Sequence, residues 1–131
     1  MSSQAFHEFC DGKGPTITLV KCRFDGALES RNLGGFIDQS WHSKNCYSKS
    51  SEAFLFLLNE QGNSVKCPIL RVNRAISGSN EYGPKFGEDL EIEKTFQTGC
   101  LGQYAYSNAS ALCQGNTNTF RVEEIEVFQV Q

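Results

Sequence analysis

Short segments in which apolar and polar residues alternate constrain the fold of this chain most, because that alternation buries one face of a β-strand. The clearest example is TITLVK at residues 16–21. Strong helical periodicity is confined to the first ten residues, where 3–9 predicts one short helix. Clusters of Gly, Asn and Ser separate the segments, a spacing typical of an antiparallel β-sandwich. Further strands are predicted at residues 53–58, 64–72, 75–77, 90–93 and 120–130.

The segment AFLFLL at residues 53–58 is apolar on both faces, which suits a central strand that is covered on both sides. A turn over residues 59–63 and a return strand over 64–72 would complete a β-hairpin.

The last strand, 120–130, has no cleanly apolar face, and a bulge near Glu123–Glu124 would correct this. The bulge would leave Glu123, Glu124 and Glu126 on the surface as an acidic cluster. It would turn four apolar side chains toward the core, those of Phe120, Val122, Ile125 and Val127.

Size and charge exclude several classes of protein. A chain of 131 residues buries roughly two-thirds of its surface, enough for one hydrophobic core. The net charge of −3, without a run of Lys or Arg, argues against binding to nucleic acid or anionic membranes. The longest apolar run, 53–58, is far short of the ~20 residues that cross a bilayer. Residues 1–12 lack the basic and apolar regions of a signal peptide. We therefore expect a cytoplasmic protein that does not insert into membranes.

The cysteines predict free thiols rather than a metal site. The chain has six of them, and no pair has the C-x₂-C or C-x₄-C spacing of a zinc site. In a reducing compartment such residues behave as small buried hydrophobes, while structural disulfides and a metal or redox role remain as alternatives. We expect no cofactor and no metal.

Six segments resemble, in the same order, the TLDc domain of oxidation-resistance-type proteins. The first, FHEFCDGKGPTITLVK, is similar to the family's opening FHxxCDxKGPTLxxIK, and the last, FRVEEIEVFQV, to its closing strand. Between them lie LGGFIDQSW, SEAFLFLL, EYGPKFGEDLEI and YAYSNAS.

The chain departs from the family pattern at three places. Leu33 and Phe36 stand where members commonly have Phe and Tyr, and Glu88 alone separates Gly87 from Asp89, where members carry two or three residues. The sequence starts at the family's first block, without the usual lead-in that includes a strand. We therefore expect an unpaired sheet edge.

The resemblance implies a fold and a role. The fold would be a mostly β, two-layer antiparallel sandwich with one or two short helices, formed by residues 1–131 as a single domain. The role would be non-enzymatic protection against oxidative stress, with the vacuolar proton-pumping ATPase as a partner. The resemblance carries over no catalytic residue.

Two groups of residues are candidates for binding a protein partner. One is a rigid exposed loop at 82–87, presenting Tyr82 and Lys85, together with Glu88; the other is the acidic cluster Glu123, Glu124 and Glu126. Acidic residues over 88–93 alternate with apolar ones, which favours a solvent-facing strand over a calcium or magnesium site. Packing roles are predicted for Gly34, Gly35, Phe36, Trp41, Gly83, Pro84, Phe86, Gly87 and Asp89, with the two adjacent glycines at the start of a strand.

A docking module is the function that the sequence favours. One alternative is a structural subunit of a large cytoskeletal or ciliary assembly, paired through the open sheet edge. A weaker one is a thiol antioxidant, in which His7 acts as the base for Cys10 on one helix face. Packing of His7 and Cys10 against the core is the simpler interpretation of that pair.

Overall fold

The computed structural model describes residues 1–59 and 64–131, and this part of the chain is mostly β-strand. One α-helix, α1 (Ser3–Cys10), comes first, and two 3₁₀ turns lie at Val72–Arg74 and Ala109–Cys113. The strands are β1 (Thr16–Phe24), β2 (Arg31–Ile37), β3 (Tyr47–Ser48), β4 (Phe54–Leu58), β5 (Val65–Pro68), β6 (Ile76–Ser77), β7 (Tyr82–Phe86), β8 (Leu90–Glu93), β9 (Thr98–Leu101) and β10 (Thr119–Gln129).

Among the described residues, eight strands form one antiparallel sheet in the order β5-β4-β2-β1-β10-β9-β8-β7, and β3 pairs with β6. Strand β10 joins the two halves of the sheet, because it pairs with β1 along its length and with β9 only through Thr119–Arg121. The halves face each other, since the ring of Phe86 in β7 lies against Gly35 in β2. The predicted mostly β, sandwich-like fold is confirmed.

Aromatic rings fill the space between the helix and the sheet. The ring centroids of Phe6 and Trp41 are 5.3 Å apart, and those of Trp41 and Phe86 are also 5.3 Å apart, both pairs edge to face. The indole N–H of Trp41 donates to Thr16 Oγ1 at 3.0 Å, so its polar atom is satisfied inside the core. The N-cap residue Ser2 accepts from the Ala5 amide and starts α1 where the sequence predicts it.

The predicted hairpin is present, but its second strand is shorter than expected. Strands β4 and β5 pair antiparallel from Phe54 to Leu57, and β5 ends at Pro68, whose nitrogen has no hydrogen to donate. The predicted turn over 59–63 falls mostly on residues 60–63, which lie outside the described part of the chain. The expectation that this strand is covered on both sides is wrong: Leu55 is buried, whereas Phe54 is half-buried on the other face.

The bulge predicted for the last strand is confirmed. Lys21 pairs with Glu124 and Cys22 pairs with Val122, so Glu123 is the extra residue in β10. Phe120 is buried, and three other apolar side chains of β10 pack against the core: Val122, Ile125 and Val127.

Two local predictions are wrong, and packing explains both. Gly34 and Gly35 lie inside β2 rather than at its start, because Gly34 packs on the Thr18 carbonyl, where a Cβ atom would come within 1.9 Å. The predicted loop at 82–87 is largely strand β7. Gly83 leaves room for the ring of Phe96, and a register irregularity in the pairing with β8 accommodates the proline of this edge strand.

The six cysteines are free thiols, as expected, but they differ in exposure. Cys22 and Cys67 are buried, Cys46 is exposed, and the others are half-buried. In the described part of the chain no helix is long and apolar enough to cross a bilayer.

Candidate functional site

A buried carboxylate positions one exposed loop. Asp89 follows the turn after β7, where Gly87 has a φ of +58°, a conformation that favours glycine. Asp89 is fully buried, and its carboxylate accepts hydrogen bonds from the backbone amides of Tyr104, Ala105 and Tyr106 at 2.8–3.1 Å. The carboxylate therefore fixes the start of the segment that carries Tyr104.

Two arginines stack on two tyrosines at the surface beside this loop. The guanidinium carbon of Arg71 lies 4.6 Å from the centroid of the Tyr104 ring, and that of Arg74 lies 5.0 Å from the Tyr47 ring and 5.5 Å from the Tyr104 ring. Arg71 Nε also donates to the Tyr104 carbonyl at 2.9 Å. We call these four residues the arginine–tyrosine surface. Cation–π attraction favours conformations in which the two guanidinium groups lie over the tyrosine rings.

The first predicted group adjoins this surface. Lys85 Nζ lies 4.4 Å from the Tyr82 ring centroid and 3.7 Å from Glu88 Oε2, and the Tyr47 hydroxyl donates to the Glu88 carboxylate. The structure thus brings Tyr82, Lys85 and Glu88 together and links them to Tyr47. The link falls outside the resemblance, because Tyr47 lies in none of the six segments.

Neighbouring groups shift the pKa values of the ionisable side chains in and beside this group. The Tyr47 hydrogen bond, more than the nearby Lys85, lowers the pKa of Glu88. The same bond raises the pKa of the Tyr47 hydroxyl. Burial raises the pKa of Glu91 on the neighbouring strand β8. Glu88 therefore stays ionised at neutral pH as a hydrogen-bond acceptor.

The second predicted group lies elsewhere in the sheet, on β10, with β9 and β8 between it and β7. Glu123 accepts a hydrogen bond from the Ser30 hydroxyl, and its Oε2 lies 3.4 Å from Arg23 Nη2. The Ser30 hydrogen bond, more than the charge of Arg23, lowers the pKa of Glu123. Glu124 and Glu126 are exposed. The two predicted groups are therefore separate surfaces.

The His7–Cys10 arrangement does not activate the thiol. His7 Nδ1 lies 2.8 Å from Asp11 Oδ1, and its Nε2 lies 2.8 Å from the Ser79 carbonyl, so both ring nitrogens are engaged away from Cys10. Burial, and then the charge of Asp11, raises the pKa of Cys10. A peroxide-reactive cysteine needs the opposite shift.

Among the described residues, no three His, Cys, Asp or Glu side chains are placed to hold a metal ion. In β8, Glu91 and Glu93 follow the predicted strand pattern, since they are half-buried while Leu90 and Ile92 are buried. The expected solvent-facing position is wrong for Asp89, which precedes β8 and is fully buried.

A family model described as the TLDc domain matches residues 1–131, the whole chain. The chain belongs to the TLDc domain family. A search of the curated proteins finds no match. Membership supports the oxidation-resistance type of protein that the six sequence segments indicate.

The residues given packing roles lie in the strands and turns of this TLDc domain. Trp41, Phe86 and Asp89 are at most 1% exposed, and Phe36 is half-buried. Gly35 borders the Phe86 ring. Gly34, Gly83, Pro84 and Gly87 complete the set in β2, β7 and the turn that follows.

Sequence reasoning missed most of the arginine–tyrosine surface. Tyr47, Arg71 and Arg74 lie outside the segments that resemble the family, and Tyr104 lies within YAYSNAS, for which the sequence predicts no binding role. The pair Arg71 and Arg74, three residues apart after a strand, was the one signal available.

Proposed function

We propose that this TLDc domain is a non-enzymatic protein-binding module and that the arginine–tyrosine surface docks its partner. The observation that carries the proposal is the stacking of Arg71 and Arg74 on two tyrosines that keep 36% and 42% of their surface exposed. Tyr and Arg are enriched among the residues that dominate binding energy at protein interfaces. Side chains already held in place lose less entropy on binding.

The partner we propose is the vacuolar proton-pumping ATPase, and the proposed setting is the cytoplasmic response to oxidative stress. Both rest on the resemblance to oxidation-resistance-type proteins. Binding would act by surface complementarity, with the group Tyr82, Lys85 and Glu88 at the margin of the contact. The acidic cluster on β10 would remain free for a basic partner or for solvent.

The test measures binding of the purified chain to the isolated soluble sector of the pump, together with the pump's ATP hydrolysis. The double variant Arg71→Ala/Arg74→Ala is expected to bind at least about tenfold more weakly, because each stacked arginine is placed as an interface anchor. The matched control is Arg23→Ala/Arg121→Ala, which removes two exposed arginines from β1 and β10.

Two results would contradict the proposal in different ways. If the unmodified chain neither binds the pump nor changes its ATP hydrolysis, the pump is not the partner. If the chain binds and the Arg71/Arg74 variant binds equally well, the arginine–tyrosine surface is not the docking site.

A second candidate function rests on the open edge of β10. Among the strands that the structure describes, β10 from Glu123 to Gln129 has a neighbour on one side only, which leaves backbone groups available for pairing with another chain. A structural subunit of a cytoskeletal or ciliary assembly would use this edge. Amide hydrogen exchange of residues 123–129 should then slow markedly in the assembly. An isolated chain that melts cooperatively as a monomer, with unchanged exchange in the presence of the assembly, contradicts this role.

A further inference from the structure

The outer face of one half of the sheet carries aromatic and aliphatic side chains in a continuous row. Phe128, Ile17, Phe36 and Phe54 are lateral neighbours on β10, β1, β2 and β4. The rings of Phe36 and Phe54 stack with centroids 5.4 Å apart. We call this surface, with Leu19 and Phe56 of the next row, the outer sheet face.

These side chains lie outside the hydrophobic core. Their strand neighbours point inward and are fully buried, as Val20, Leu33 and Leu55 show. On the outer sheet face the side chains are at most half-buried, Phe128 is 48% exposed, and a groove of about 420 Å³ runs between β10 and β5. An apolar patch of this kind on a small domain marks a contact surface.

The charges at the two margins of the face are arranged to fit a second copy. The next lateral row runs from Glu126 on β10 through Leu19, Gly34 and Phe56 to Lys66 on β5. The row therefore has a negative charge at one end and a positive charge at the other, with apolar residues and a glycine between them.

We propose that the outer sheet face is covered by the same face of a second copy, in a two-fold symmetric dimer. A two-fold axis parallel to β2 and lying between the two faces places β10 of one copy over β5 of the other. Glu126 then lies opposite the partner's Lys66, and Lys66 lies opposite the partner's Glu126. The same operation sets Ile17 against the partner's Phe54 and Leu19 against the partner's Phe56.

The marginal charges are available for this contact. In the part of the chain that the structure describes, neither Lys66 nor Glu126 forms a salt bridge. Lys66 Nζ lies 4.4 Å from the Phe54 ring centroid, so the side chain of Lys66 extends toward the apolar row.

The size of the face is that of a weak, reversible complex. Five neighbouring strands contribute, and with side chains they span roughly 24 Å by 20 Å, about 1,000 Å² summed over two copies. This area lies at the low end for specific interfaces, which predicts a reversible dimer with a Kd on the order of 10–100 µM.

Sedimentation equilibrium of the whole chain between about 5 and 500 µM tests the proposal. The variants Lys66→Glu and Glu126→Lys each put like charges at both margins, and each is expected to weaken the dimer about tenfold or more, since two marginal pairs change from attraction to repulsion. A mixture of the two variants restores opposite charges at both margins, so it should form a heterodimer of near-original affinity. Lys49→Glu, which reverses an exposed charge outside this face, is the matched control.

Each outcome decides for or against the dimer, provided that circular dichroism melts show all variants folded. Concentration-dependent dimerisation that the single variants lose and their mixture regains supports it. A monomer throughout the concentration range overturns it and leaves the face to another occupant, such as a segment of a different protein. A dimer unaffected by the charge reversals also overturns it, because the copies would then meet through another surface.

Discussion

Replacing Asp89 measures how strongly a buried carboxylate holds the loop that carries Tyr104. Asp89→Ala leaves three buried or half-buried backbone amides without their acceptor, and each costs about 1–3 kcal/mol. We therefore expect a loss of roughly 3–9 kcal/mol in the free energy of unfolding, a large part of the stability of a typical domain. Asp89→Asn is milder: an amide oxygen at the Oδ2 position keeps the bonds from Tyr104 and Tyr106 and the longer bond from Ala105 at 3.1 Å. The amide nitrogen then replaces Oδ1, which accepts from Ala105 at 2.8 Å. Asp89→Asn is expected to lower the free energy of unfolding by about 1.5–3 kcal/mol.

The assay is urea unfolding followed by the fluorescence of Trp41, the single tryptophan, which is 1% exposed and reports the core directly. Glu88→Gln is the control, because it removes an adjacent carboxylate whose side chain is 39% exposed. The control should change stability by less than about 1 kcal/mol. An Asp89→Ala cost below about 1 kcal/mol, or equal costs for Ala and Asn, would refute the reasoning that hydrogen bonds to this carboxylate hold the loop.

Two further predictions concern packing and thiol chemistry. Gly34→Ala should destabilise the fold by about 3 kcal/mol or more, because a Cβ atom would lie 1.9 Å from the Thr18 carbonyl. Gly26→Ala, where nothing lies within 4 Å and the cost is the positive φ alone, should lose about 1–2 kcal/mol; comparable urea midpoints for the two variants would contradict this. In thiol labelling, exposed Cys46 should react first and Cys22 last, because Cys22 is buried and its pKa is raised to about 12. Labelling of Cys22 before Cys46 in the folded protein would contradict the order.

Features that depend on one strand alone could be predicted from the sequence. The bulge at Glu123 is the clearest case, because three glutamates and four apolar residues of β10 cannot all satisfy one regular alternation. The short helix α1 is predicted in the same way, from the helical periodicity of the first ten residues.

Features set by packing between distant segments could not be predicted. The sequence Tyr82–Gly83–Pro84 has the local chemistry of a turn, yet the chain runs as edge strand β7 because Gly83 faces the Phe96 ring and Phe86 enters the aromatic core. Tertiary packing outweighed the local preference.

The arginine–tyrosine surface was hidden from sequence reasoning for a related reason. Its members come from β3, from the 3₁₀ turn after β5 and the residue before that turn, and from the segment held by Asp89, so the fold alone brings them together. No local period relates Tyr47 to Tyr104.

The alternation of β1 and β4 shows why binding surfaces can be separated from the core in this fold. In both strands the inward residues are fully buried, so the hydrophobic contribution to folding is already supplied by one face of the sheet. Apolar residues on the opposite face add little to that core, and a contiguous apolar patch on this face indicates a contact with another molecule. The outer sheet face and the arginine–tyrosine surface share no residue. A charge reversal at Lys66 should therefore leave the affinity for the partner that binds through Arg71 and Arg74 unchanged. A weaker affinity of Lys66→Glu for that partner would show that the two surfaces are coupled.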